Sequence, residues 1–242
     1  MQERILDSVN NNMLKIAKPP NLTELAYLSV RQSLVDGSLA EGERLTEESL
    51  ATQLGISKSP IREALTRLES EGLLCIEARR GAYVRMFSSK DVSDLYDLRE
   101  LLEVHAVGLA VITPTFLHEL AESIEHTQIH LHAGDRIAHV EEDIHFHNLI
   151  AAATGNEELR RILENLNHKS LLCRSKTFEL SATTAPVSHS RIYLALKDGD
   201  RGLAQQAMQD HIQFVRDSLL RSLGSGASND VSEKDAGTVV SS

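Results

Sequence analysis

Apolar positions recur at helical spacing along most of the chain and at strand spacing in one short stretch. Leu25, Leu28, Leu34 and Val35 form a stripe that predicts a helix from an N-cap at Thr23 to Asp36-Gly37. Thr46, followed by Glu47 and Glu48, predicts a short helix over 47–54 that Gly55 ends. Ser59-Pro60 predicts the start of a third helix over 60–71, with Ser59 as N-cap and Gly72 as terminator. Ile61, Ala64, Leu65 and Leu68 give that helix a core face. Lys58, Ser59, Arg62 and Thr66 lie at its exposed start and outer side. Leu73-Leu74-Cys75-Ile76 and Ala82-Tyr83-Val84 then read as a hairpin with Arg79, Arg80 and Gly81 at its tip.

After a linker at 86–90 the helical period returns. It is broken at Thr113-Pro114, Gly134-Asp135, Gly155-Asn156, 181–186 and Gly199-Asp200, which makes about six helices. The expected fold is mainly α: a winged helix-turn-helix over 23–86, then an antiparallel all-helical bundle over 91–222. The Asn-rich segment 1–22, ending in Pro19-Pro20, reads as a flexible arm, and 223–242, poor in bulky apolar residues, as a disordered tail.

Charge sharpens the division. The net charge of −10 argues against a general polyanion binder. Residues 57–85 nevertheless carry 6 basic and 4 acidic side chains, so contact with a polyanion is expected in the N-terminal third. All 11 histidines lie at or beyond His105. The N-terminus does not read as a signal peptide, and no apolar run reaches the roughly 18 residues of a membrane span. Cys75 and Cys173 suggest no disulfide framework. A cytoplasmic protein without a membrane partner is the expectation.

A recognition helix reads base edges with its N-terminal residues, and a wing meets the backbone or minor groove. Arg62 can fork onto guanine, while Lys58, Ser59 and Thr66 suit phosphate or bases. The competing reading is a small packing unit with surface arginines. In the second half, helices 136–153, near 186 and 200–222 each place polar groups on an apolar face. These are Asp143 with His147, then His189, then His211. One carboxylate and three imidazoles in a bundle suit a divalent ion: zinc first, with nickel, manganese or iron as alternatives. A plain i,i+4 Asp143–His147 pair and hydrogen-bonded core histidines would be the simpler account. His126, His130 and His132 read as solvated, and HExxH is absent.

The run ERLTEESLATQLGISKSPIREALTRLESEGLL, continuing into ARRGAYV, resembles the winged helix of the GntR family of bacterial regulators. The resemblance implies DNA contacts by Lys58, Ser59, Arg62 and the Arg80-Gly81 tip. Two positions depart from the family: Glu48 stands where many members carry a phosphate-binding arginine, and Lys58 replaces an arginine. The segments RELLEVHAVGLA, DIHFHNLIAAATGN, SHSRIYLALKDGD and AMQDHI resemble the FCD effector domain of the FadR subfamily. That resemblance implies a metal on Asp143, His147, His189 and His211, and a small carboxylate or sugar acid beside it. Arg99 takes the position of an effector-binding arginine, with an i,i+4 bridge to Glu103 as its alternative role. The chain is thus expected to be a ligand-responsive, non-enzymatic transcriptional regulator, in first place a repressor. A homodimer on palindromic half-sites is expected. The competing function is a metal-dependent enzyme carrying an accessory DNA-binding domain.

Overall fold

A computed structural model describes residues 21–78, 80–176, 178 and 182–232. The first helices are α1 (Leu22–Val35), α2 (Glu47–Leu54) and α3 (Lys58–Ser70), with strand β1 (Arg44–Leu45) between α1 and α2. Strands β2 (Leu74–Glu77) and β3 (Gly81–Val84) follow. The sheet order is β1-β3-β2, antiparallel throughout, with Arg44 opposite Tyr83 and Leu74 opposite Val84. The two-residue β1 carries no periodic signal, so sequence alone predicted only the hairpin.

Two helix starts differ from expectation. Asn21, not Thr23, caps α1, accepting a hydrogen bond from the Glu24 amide. Helix α3 begins at Lys58 with Ser57 as N-cap, so Pro60 sits at the third helical position. That position is tolerated because the first-turn N–H groups have no intrahelical acceptor, so proline forfeits no bond there. Lys58, Ser59 and Arg62 consequently occupy the opening turn and a half.

The C-terminal half is α4 (Ser89–Leu109), α5 (Pro114–Ala133), α6 (Arg136–Ala153), α7 (Glu157–Lys176), α8 (Ala185–Lys197) and α9 (Arg201–Ser232). A full capping box of Ser88 and Asp91 starts α4, and Thr113 caps α5. Helix α9 packs on α4 and α8, α6 lies between α5 and α7, and α5 also meets α8. Ile144, Phe146, Ile150, Ile192, Met208 and Ile212 line the bundle core around the polar groups described below. The helix α9 runs through 223–232, the first part of the stretch expected to be unstructured. Of the arm expected over 1–22, Asn21 and Leu22 belong to the start of α1, whereas 1–20, Arg79 and the end of the tail at 233–242 lie outside the described residues.

The two halves touch. Arg31 of α1 pairs with Glu141 of α6. Gly72, at φ +75°, ends α3 so close to α7 that an added Cβ would stand 3.0 Å from the Lys169 side chain. Among the described residues no helix is long and apolar enough to cross a membrane.

Candidate functional site

The exposed side of α3 carries Lys58, Ser59, Arg62 and Thr66 as expected, and Ile61, Ala64, Leu65 and Leu68 are buried beneath them. Thr66 donates its hydroxyl to the Arg62 carbonyl at 2.9 Å. Acids on α2 occupy both cations. Arg62 donates through Nε and Nη2 to the two Glu47 carboxylate oxygens, each at 2.7 Å. Lys58 Nζ lies 3.7 Å from Glu48. The Glu47 carboxyl is held below its ordinary range, chiefly by the Arg62 hydrogen bonds. Sequence reasoning noted Glu48 but missed the Glu47–Arg62 fork, although both residues lie at the helix starts that a turn brings together.

At the wing tip Arg80 is exposed and pairs with Glu77, and its carbonyl accepts from Arg44 Nε at 2.6 Å. Gly81 has φ +109°, and a Cβ there would lie 2.9 Å from the Leu45 carbonyl oxygen. Only glycine satisfies both conditions, so Gly81 shapes the tip through its backbone.

The structure brings together all four predicted metal-ligating residues. Asp143 and His147 of α6, His189 of α8 and His211 of α9 are buried, and one ligating atom from each lies within 4.8 Å of the others. His147 Nε2 and His211 Nε2 are 3.3 Å apart, and His189 Nε2 is 3.3 Å from Asp143 Oδ1. A neighbouring group assigns the His147 ring proton. Glu103 meets His147 Nδ1, and a carboxylate there can only accept. The Ser188 hydroxyl lies 2.9 Å from His211 Nδ1 and 2.9 Å from the Thr184 carbonyl oxygen, so it anchors the imidazole of His211 to the start of α8. The Glu103 contact thus leaves a lone pair on His147 Nε2, which faces His211 Nε2 at 3.3 Å. Two nitrogens bound to one ion at about 2.05 Å and a tetrahedral angle stand about 3.3 Å apart, so the pair matches the donor spacing of a divalent cation.

Burial, then repulsion by neighbouring rings and Arg174, pushes the His189 and His211 pKa values well below the ordinary imidazole value. Both rings are thereby kept neutral, the form that binds metal. Phe146 stacks on His189 at 3.9 Å and fixes its plane. His145 is exposed, as its opposite helix face required.

Five further residues surround the cluster. Glu103 of α4 joins His147 to Arg99, whose Nε donates to it at 2.7 Å. Arg99 thus lies inward and makes the i,i+4 bridge at once, which periodicity could not decide. Burial opposes ionisation of Glu103, but Arg99 and His147 outweigh it and hold its carboxyl well below the usual range. Sequence reasoning missed Arg174 of α7, which is buried against Asp143. Burial and the Arg99 charge lower its pKa to about 9, so it stays cationic at neutral pH. It also missed Ser188 and His139. A charge directly after the apolar Leu171-Leu172-Cys173 run, and an imidazole one turn before Asp143, were the available signals. His139, Asp143, Arg174 and His211 line a cavity of about 20 Å³ beside the ligand set.

Residues 22–84 match the family described as bacterial regulatory proteins, gntR family, and residues 94–214 match the FCD domain. The chain belongs to the GntR family of transcriptional regulators, with an FCD domain. It is 30% identical to YdhC, an HTH-type transcriptional regulator of Bacillus subtilis (strain 168), over 89% of this chain and 98% of that protein. It is 28% identical to the gluconate operon transcriptional repressor of the same organism, over 84% of this chain and 87% of that one. The solved structure of E. coli McbR/YncC superposes with a TM-score of 0.70 at 25% identity, covering 85% of this chain and 99% of the other. The FadR-like domain order is as the motifs implied. A family of regulators also sets aside the enzyme reading.

Proposed function

We propose that this GntR regulator is a homodimeric, effector-responsive repressor whose FCD domain carries a divalent ion, zinc first, on Asp143, His147, His189 and His211. The observation that carries it is the buried cluster of four potential ligands, with the Nε2 atoms of His147 and His211 3.3 Å apart. When bound, the ion supplies a positive centre with open positions for an anionic ligand.

The charge balance supports an anionic effector. Arg99 and Arg174 cancel Glu103 and Asp143 inside the bundle. With neutral imidazoles, a divalent ion leaves two positive charges uncompensated, and buried charge is costly unless paired. A small carboxylate or sugar acid neutralises that excess, held by the ion and by the Arg99–Arg174 pair. The gluconate repressor among the relatives accords with this class.

On DNA, Arg62 reads a base edge, Lys58, Ser59 and Thr66 support it, and the wing with Arg80 and Gly81 follows the backbone. One such module covers few base pairs, so two copies on palindromic half-sites are required. Elemental analysis of purified protein tests the ion, and light scattering tests the dimer. One zinc per chain, lost in His189→Ala, is expected. Absence of stoichiometric divalent metal after loading with zinc, nickel and manganese defeats the reading.

A further inference from the structure

Helix α5 carries a polar ladder that neither the buried cluster nor the DNA-facing side uses. His118, Glu122, His126 and His130 follow one another at intervals of four residues, so they share one face of the helix. His118 Nε2 engages Glu122 at 3.5 Å. His126 turns instead to the neighbouring helix, and its Nδ1 lies 3.8 Å from Glu142 Oε2 of α6. The rings of His126 and His130 stand 6.4 Å apart between centroids, tilted at 51°. His126 is exposed, and His130 and Glu142 are partly so.

Two imidazoles four residues apart on a helix can close on one ion from the same side. Rings that share an ion in tetrahedral geometry stand about 5 Å apart between centroids. The two rings start at 6.4 Å on solvent-accessible side chains, so a turn about χ1 closes the difference. Glu142 supplies a carboxylate from a second helix. Its Oε1 is buried and has no hydrogen-bond partner among the described residues. A buried carboxylate oxygen without a donor costs free energy, and a bound cation removes that cost. A plain His126–Glu142 ion pair would leave Oε1 unpaired and give His130 no part. The set is also separate from the cluster on Asp143. Successive residues of a helix point about 100° apart, so Glu142 meets α5 while Asp143 meets His189 of α8.

We propose that His126, His130 and Glu142 form a second divalent-cation site that ties α5 to α6 and takes zinc or nickel, with water in the remaining position. Two imidazoles and one carboxylate with an open position are a donor set for zinc, and imidazole suits nickel as well. With three protein donors at the surface, the ion binds more weakly and exchanges faster than one held by four buried ligands.

The test titrates chelator-stripped full-length protein with nickel chloride and with zinc chloride, followed by calorimetry. The double variant His126→Gln/His130→Gln should bind one equivalent fewer than wild type. Glu142→Gln should keep that equivalent but bind it about tenfold or more weakly. His132→Gln, which lies off this face, should match wild type. His189→Ala should retain the equivalent that the double variant loses, so the two sites are counted separately. Melting of the metal-free proteins checks that the substitutions, all at solvent-accessible positions, leave the fold unchanged. Equal stoichiometry in wild type and the double variant, or loss of the same equivalent in His189→Ala, overturns the inference.

Discussion

Stability of the metal-free protein should fall steeply with acidification, and His189 and His211 should account for an identifiable share. Burial, then neighbouring positive groups, holds both rings' pKa values well below the ordinary value in the folded state. In the unfolded chain the rings return to about 6.5. The unfolded state therefore binds more protons as pH falls, and stability rises with pH across this window. The contribution is fully present above about pH 6.5 and is lost progressively below it. A ring that stays neutral when folded costs about 1.3 kcal/mol between pH 7 and 5.5, and the pair about 2.5 kcal/mol. His139 and His168, also lowered by burial, add to the raw slope, so variants must isolate the pair. Urea unfolding of chelator-treated wild type, His189→Gln and His211→Gln at pH 7, 6.5, 6 and 5.5 makes the measurement. Each substitution should remove about 1.3 kcal/mol of the pH-dependent loss, whatever it does to absolute stability. Identical pH dependence in all three proteins would refute the burial argument.

Other outcomes follow from the same contacts. Arg62→Ala should weaken operator binding roughly tenfold or more in a mobility-shift assay and relax preference at one base pair per half-site. Glu48→Gln should tighten DNA binding up to about fivefold at low salt, since it frees Lys58 and removes an acid from the phosphate-facing side; unchanged affinity would mean that Glu48 turns away in the complex. Glu103→Gln should weaken zinc binding about 10- to 100-fold in a chelator competition, because the His147 Nδ1 anchor loses its charge.

The domain order and the convergence of Asp143, His147, His189 and His211 were legible because helical period fixes faces. Asp143 and His147, four residues apart, share one face, and the stripes around His189 and His211 set their direction. What periodicity does not fix is which faces meet. Arg174 was hidden because its helix contacts Asp143 only through tertiary packing, and His139 because one more polar residue on α6 looks like ordinary capping-end composition. Glu47 escaped for a related reason. Its acid at the start of α2 is explained by the helix dipole alone, and only the α2–α3 turn reveals that it forks onto Arg62. The Ser57 start of α3 was missed because Ser59-Pro60 is the stronger local signal, whereas the chain trades that signal for an earlier first turn.

On the proposed reading, the metal centre must bias the DNA-binding half, and magnitudes select the route. A ligand shifts an equilibrium only through contacts that differ between the two states. The Arg31–Glu141 pair spans the halves, but Glu141 is 46% exposed. Such a pair is worth about 0–1 kcal/mol, short of the roughly 1–3 kcal/mol of typical allosteric coupling. Helix α7 offers a stronger path. At one end Arg174 is buried against Asp143, a contact that both an ion on Asp143 and an anion on Arg174 would compete for. Six residues earlier, about 9 Å along the axis, His168 lies in the field of Glu71, Arg31 and Arg67, and Lys169 closes on Gly72. Gly72 terminates α3, the helix that carries Arg62. On this reading a change at Asp143 passes to the recognition helix along α7, which meets Asp143 through Arg174 and the end of α3 through Lys169.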